Sequence, residues 1–277
     1  MITRDLDFFL DDGGREIPPS VLAKEVRCRV ALPPSNLPGL DFALNPYVGC
    51  EHGCLYCFAP DVLKRERSDW ATRVDYRVNL PVVLSRELRT KRGVIGIGTV
   101  TDPYQPLEGV LLLTRKCLME ICRHDNPISI LTKSDLVLRD LELILATKRP
   151  EVGITLTCMD EGLARRIEPG APSPRRRIAA LGELSRSGVN SYAMIGPVLP
   201  FLEEHELSGI LKEVRAVGCE RVMVDRLRPR PGLEEALLEG KVLKTTSCLT
   251  DFAHMGRQAR HIRDECVRLG LRFESAF

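Results

Sequence analysis

Three of the ten cysteines fall between residues 50 and 57, spaced Cys50-x3-Cys54-x2-Cys57. A thiolate is a soft ligand. Clustered thiolates in a chain without secretory features point to a metal or an iron–sulfur cluster. Their number narrows the choice. A structural zinc site closes its tetrahedron with four protein ligands, whereas three cysteines on a [4Fe–4S] cube leave one iron open. Zinc would need His52 or a distant cysteine as fourth ligand, and the chain has no second Cys-x2-Cys pair. A disulfide framework would require export. Pro46 and Pro60 bracket the segment, and Gly49 and Gly53 permit the tight turns that let three sulfurs converge. Such a loop also offers backbone N–H groups to the sulfurs. A non-catalytic metal-binding or iron–sulfur electron-transfer module is the alternative this pattern leaves standing.

The elements that must position these thiols follow a repeating pattern. Residues 40–48 read as a strand leading straight into the cysteine loop. Residues 61–69 are helical in composition, 70–80 alternate as a short strand, and 81–92 read as a helix with Pro81 in its first turn. From there strands at 93–100, 127–132, 152–157, 189–195 and 221–225 alternate with helices at 107–124, 136–148, 174–187 and 203–217. Asp135 and Ser173 are the expected N-caps, and Gly188 and Gly218 the expected stops. Alternation of this kind predicts a parallel sheet with right-handed crossovers. About six units fit, which favours an α/β fold of the open, partial (β/α)6 barrel type over a closed eightfold one. A doubly wound open sheet fits the same periodicity. Prolines break the first 39 residues, so 1–39 read as an extension, with a short strand at 26–31 and Cys28 as a small buried hydrophobe. Residues 40–230 form the core barrel, and 231–277 a C-terminal segment with one helix at 249–269.

The string Asn45-Pro46-Tyr47-x-Gly49-Cys50-x-His52-x-Cys54-x-Tyr56-Cys57 resembles the signature of the radical S-adenosylmethionine (SAM) superfamily, and within it the spore photoproduct lyase-like branch. The run Thr101-Asp102-Pro103-Tyr104-Gln105-Pro106 is similar to the same branch, as is Glu168-Pro169-Gly170-Ala171-Pro172 followed by Arg175, Arg176 and Arg177. The resemblance covers roughly residues 40 to 230 by motif order. It implies a [4Fe–4S] cluster on Cys50, Cys54 and Cys57, with S-adenosylmethionine chelated at the open iron. It also implies an external one-electron reductant of the flavodoxin or ferredoxin type, reductive cleavage of the sulfonium, and hydrogen abstraction from a substrate. The cofactors carry that chemistry, while the protein positions the parts and excludes water.

Functional groups of parallel barrels gather at the C-terminal ends of strands. The run at 101–106 stands where the resemblance implies a Gly-Gly-Glu-type motif for the cofactor's ammonium, so Asp102 or the Thr101 hydroxyl is expected to accept from it. Lys133, with Ser134, is expected to meet its carboxylate or ribose. Thr155 and Thr157 share one face of their strand and could bond the ribose. One of the three arginines after Glu168 is expected at the site. Tyr56 is the candidate catalytic tyrosine, beside the last cysteine. The strand end at 98–102 lacks the cysteine that photoproduct lyases use to return hydrogen, and Phe58 stands where a tyrosine is common. The resemblance therefore implies radical generation on an unidentified substrate, nucleic acid being one candidate through Arg226, Arg228 and Arg230.

Composition sets the outer bounds. The 277 residues suffice for one barrel-sized domain with a real core. Apolar residues at 44%, charged residues at 28% and a net charge of +2 read as an ordinary globular chain with no demand for a polyanionic partner. The polar N-terminus does not read as a signal peptide, no apolar run approaches a membrane span, and ten cysteines without export signals imply a reducing cytoplasm.

Overall fold

A computed structural model of the chain describes residues 21–243 and 247–276. The first 20 residues of the predicted extension lie outside that range. Strand β1 (Leu22–Val26) opens it, followed by β2 (Phe42–Leu44) and β3 (Tyr47–Val48). Helix α1 (Ala59–Leu63), β4 (Arg73–Arg77) and α2 (Leu80–Glu87) come next. Then β5 (Ile95–Ile97), α3 (Glu108–Leu111), α4 (Leu113–Ile121), β6 (Pro127–Thr132), α5 (Leu141–Ala146) and β7 (Lys148–Thr155) follow. The chain continues through α6 (Glu161–Ile167), α7 (Pro174–Arg186), β8 (Asn190–Val198), α8 (Glu204–Ala216) and β9 (Arg221–Arg226). It closes with α9 (Leu233–Glu239), α10 (Phe252–Leu269) and β10 (Arg272–Ser275).

Seven strands form one sheet in the order β10-β9-β8-β7-β6-β5-β2, and every neighbouring pair is parallel. Six of them are the six predicted units. The seventh, β10, was not predicted and extends the sheet beside β9. The sheet is the α/β partial barrel expected. Ile95, Ile97, Ile128, Ile130, Val152, Ile154, Ala193, Ile195, Val222 and Val224 are buried on it. Together with Leu84, Leu118, Leu181 and Leu211 from the helices they make one continuous core. A second, three-stranded sheet of β1, β4 and β3 backs the cysteine loop.

Several boundaries differ from expectation for reasons that local sequence does not carry. The strand placed at 26–31 lies instead at Leu22–Val26. After it, the N–H of Cys28 goes to Asn79 and those of Ala31 and Leu32 go to the Glu87 carboxylate. The single strand at 40–48 is two short ones in different sheets: Pro46, which has no N–H, separates them, and β3 pairs with β4. The helix at 107–124 breaks at Leu112, which adopts φ 54°. The buried Glu108 carboxylate accepts the Thr114 and Arg115 N–H groups and so caps α4 from within. The helix at 136–148 begins as a 3₁₀ turn over Asp135–Asp140, capped by Ser134 rather than Asp135. Asp135 is drawn away by Arg176, 2.6 Å distant. The charged stretch at 61–69 yields only α1 and one 3₁₀ turn (Arg67–Asp69). The last helix starts at Phe252, where Asp251 accepts from the His254 N–H.

Candidate functional site

The cysteine loop leaves β2 and is shaped by what surrounds it. Gly49 has φ 107°, and a Cβ there would overlap the Arg73 carbonyl oxygen, so only glycine lets the loop lie on β4. Cys50 N–H donates to the Trp70 carbonyl at 3.2 Å, Gly53 N–H to the Cys50 carbonyl at 3.2 Å, and Cys57 N–H to the Cys54 carbonyl at 3.1 Å. These turns keep the three thiols in one short loop, near enough for their charges to interact. Cys50 is buried, and Cys54 and Cys57 are half-buried. The far wall also holds the loop: Leu55 N–H donates to the Ile167 carbonyl at 2.9 Å and Gly170 N–H to the His52 carbonyl at 3.1 Å.

All three thiols have raised pKa values, chiefly from burial. Cys54 is pushed up to about 12. Cys50 is pushed far up by burial, by Asp102 and by the other two sulfurs, so these charges feel one another. Opposing groups are built in. The backbone N–H groups of His52 and Ala59 favour the thiolates of Cys50 and Cys57, and Lys133 favours those of Cys54 and Cys57.

The segment after β5 staples the loop. Thr101 Oγ1 donates to the Gly49 carbonyl at 2.7 Å. Gln105 donates through Nε2 to the same carbonyl at 3.3 Å and accepts from Glu51 N–H at 3.0 Å. Asn45 accepts from Val100 N–H at 3.1 Å and donates to Thr99 at 2.9 Å. Asp102 is 8% exposed and its carboxylate is saturated. Oδ1 accepts from Tyr104 N–H at 2.9 Å and Thr132 Oγ1 at 2.6 Å, and Oδ2 from Lys133 N–H at 2.8 Å and stands 3.2 Å from His52 Nδ1. Burial opposes its ionisation, but His52 and these donors prevail and hold its pKa down to about 2. Asp102 thereby joins the cysteine loop to the ends of β5 and β6.

The opposite wall centres on Glu168. Its Oε1 accepts from the Tyr56 hydroxyl and, at 2.9 Å, from Thr157 Oγ1. Its Oε2 pairs with Arg177 NH1 at 2.6 Å, and the two side chains are 0% and 1% exposed. Burial opposes its charge, yet Arg177 and Lys133 hold its pKa down. Arg177 also donates to the carbonyls of Pro172 and Thr155, while its NH2 is buried without a partner in the structure. The Lys133 ammonium lies 5.5 Å from the Tyr56 ring centroid. Burial lowers the Lys133 pKa, but Cys54 and Glu168 outweigh it and raise it.

Tyr56, Asp102, Lys133 and Thr157 are thus gathered beside the cysteines, with Thr101 against the loop backbone. Thr155 is buried at the end of β7, and Ser134 points its hydroxyl at Leu136 N–H as a helix cap. Of the three arginines, Arg177 is the one at the site: Arg176 pairs with Asp135, and the Arg175 side chain is 85% exposed. Glu168 and Trp70 were not singled out from sequence. Glu168 sat inside a family-like run, whereas nothing local marks Trp70. Residues 44–214 match the family model described as the Radical SAM superfamily. The chain belongs to that superfamily.

Radical SAM membership implies a [4Fe–4S] cluster and S-adenosylmethionine. The chain is 36% identical over 183 residues to an uncharacterized protein of Methanocaldococcus jannaschii, covering 66% of this chain and 70% of that one. It is 34% identical over 221 residues to an uncharacterized protein of Mycobacterium tuberculosis, covering 74% of this chain and 65% of that one. It spans about two thirds of the length of these relatives. A spore photoproduct lyase complexed with dinucleoside spore photoproduct superposes with a TM-score of 0.72 at 14% identity, covering 92% of this chain and 82% of that one, a likeness of fold.

The residues fit the cluster this family implies. The donors are three thiols of one loop served by N–H groups and a lysine, the surroundings an anionic iron–sulfur centre calls for. His52 Nδ1 faces Asp102, and no three His, Cys, Asp or Glu side chains among the described residues are set around a single metal ion. Nor is any helix among them long and apolar enough to cross a membrane.

Proposed function

We propose that this radical SAM protein is an enzyme that cleaves S-adenosylmethionine reductively and abstracts hydrogen from a substrate, with nucleic acid as the first class to test. A bound, reduced cluster would supply the one electron that reductive cleavage of the sulfonium requires. Cys50, Cys54 and Cys57 would hold the cluster through their thiolates. Lys133, which makes no ion pair among the described residues, meets the cofactor's carboxylate from its place opposite Cys54. Thr101 and Asp102 border the loop where contact with the cofactor's ammonium is expected. Four donors already reach Asp102, so its part is to fix the strand ends that frame that contact. Thr155 and Thr157 line the end of β7 on the ribose side, with Ser134 shaping the turn after Lys133. Tyr56, packed between Lys133 and Glu168, is the tyrosine placed to relay hydrogen. A flavodoxin- or ferredoxin-type protein supplies the electron.

The observation that carries the reading is that Cys50, Cys54 and Cys57 lie near enough in one loop for their charges to act on one another, beside Lys133. Two features favour a nucleic acid. Phe58, next to Cys57, is 43% exposed, and the Arg230 guanidinium sits 5.6 Å from its ring. Together they offer a stacking face for a base. The related fold of a lyase complexed with a dinucleoside supports the same class. The test is anaerobic reconstitution followed by chromatography for 5′-deoxyadenosine after dithionite addition. Wild type is expected to release the nucleoside and Cys54→Ala to release none. An iron-loaded wild type that yields none would favour an electron-transfer module instead. Deuterium carried from labelled DNA or RNA into 5′-deoxyadenosine then identifies the substrate class.

A further inference from the structure

Trp70 is the only tryptophan in the chain. It follows the Arg67–Asp69 turn, with its N–H donating to the Arg67 carbonyl at 3.2 Å. Arg67 in turn donates to the Cys57 carbonyl at 2.9 Å. The Trp70 carbonyl receives the Cys50 N–H. Its side chain is 4% exposed and packs with Cys50, Cys57 and Ala59 in a small apolar cluster separate from the main core. One residue therefore straddles two of the three cysteines, held by the Cys50 N–H on its carbonyl and, through Arg67, to the Cys57 carbonyl.

The indole Nε1 is buried and reaches no acceptor that satisfies it. A buried donor left without an acceptor is costly. Of the cysteines packed on it, Cys57 is the one that Arg67, bonded to the Trp70 main chain, also holds, so its sulfur is the acceptor that ligation would create beside the indole. A protonated thiol is a poor acceptor, whereas a cluster-bound thiolate is a good one.

We propose that the Trp70 indole N–H donates to the Cys57 sulfur when that sulfur ligates the cluster, and that this bond raises the cluster's reduction potential. This rests on the cluster reading above. The physics is direct: the reduced cluster carries one more negative charge, and a positive N–H dipole aimed at its sulfur stabilises it. Trp70 is a positioning and tuning residue here, not a catalytic one, since it touches the ligand rather than the substrate.

Two measurements test it. Because the chain has one indole, wild-type protein grown with ¹⁵N-indole-labelled tryptophan carries a single labelled ring nitrogen. Pulsed EPR of its reduced cluster is expected to show a ¹⁵N coupling. The second is redox titration of Trp70→Phe, which keeps an aromatic ring in place and removes the N–H donor with the rest of the pyrrole ring. Its iron and sulfide content is expected to match wild type. At a fixed potential near the wild-type midpoint, its ratio of reduced to oxidised cluster is expected to fall about threefold. That is a shift of about 28 mV to the negative at about 59 mV per tenfold for one electron. Absence of the ¹⁵N coupling in a wild-type cluster overturns the inference, as does an unshifted midpoint in a loaded variant. If wild type assembles no [4Fe–4S] cluster, the underlying reading falls and this inference with it. The labelling experiment stands even if the variant fails to load.

Discussion

The two halves of the sheet are built to different rules. At the ends of β2, β5, β6 and β7 the buried residues include Asn45, Thr101, Asp102, Gln105, Thr132, Ser134, Thr155 and Thr157, with Glu168 and Arg177 behind them. At the ends of β8 and β9 the corresponding positions are Val198, Leu199, Leu202 and Leu227. After Arg177, the buried polar side chains among the described residues are only Ser191, Gln258 and Glu265. Gln258 there does a structural task, donating to the Leu199 and Leu202 carbonyls at 3.1 and 2.7 Å. Buried polar groups are costly unless satisfied. Their concentration in one half marks where the chain places its chemistry, and the apolar half supplies the core that holds the sheet together.

This contrast can be broken. The largest effect is expected from Glu168→Ala, which leaves Arg177 charged and buried without its partner. A loss of about 3–5 kcal/mol should appear in denaturant unfolding, together with poor cluster retention. Leu199→Ala in the other half should lose about 2–5 kcal/mol by opening a cavity, while leaving iron content and cofactor cleavage per folded molecule unchanged. If Leu199→Ala abolished the cluster, the division between halves would fail.

Asp102 gives a pH signature. Its folded pKa of about 2 lies below its ordinary value of 3.8. Its ionised form therefore adds stability that is fully present above about pH 5 and disappears as pH falls through about 2, on the order of 2 kcal/mol. Asp102→Asn should lose that much at neutral pH, and its deficit against wild type should narrow on acidification; a deficit independent of pH would mean that the charge is not the source. Tyr56→Phe is expected to have the smallest effect on stability, about 1 kcal/mol. It should still release 5′-deoxyadenosine while slowing substrate turnover. Unchanged turnover would remove Tyr56 from the reaction.

The legible parts of the sequence were those in which the physics is local. Cys50, Cys54 and Cys57 happen to lie within eight residues of one another and so announced themselves, and apolar periodicity gave the six strands β2, β5, β6, β7, β8 and β9. The illegible parts depend on partners far away. Tyr56 and Glu168 are 112 residues apart. The break at Leu112 comes from one carboxylate turning back on its own helix, and β10 is a short polar strand that exists because the β9 edge is there to receive it. Thr101, Asp102 and Ser134 were read as cofactor contacts because they stand at strand ends. The structure shows their polar atoms also serving the loop, the strand junction and a helix cap, and no rule of position separates those tasks.

The account depends on an iron that the protein leaves for S-adenosylmethionine. Electron–nuclear double resonance on the reduced, reconstituted protein, with ¹⁵N in the amino group and ¹⁷O in the carboxylate of S-adenosylmethionine, addresses it directly. Couplings to both nuclei are expected, and they should vanish in Cys54→Ala. A well-formed cluster that shows neither coupling with saturating cofactor would contradict the account.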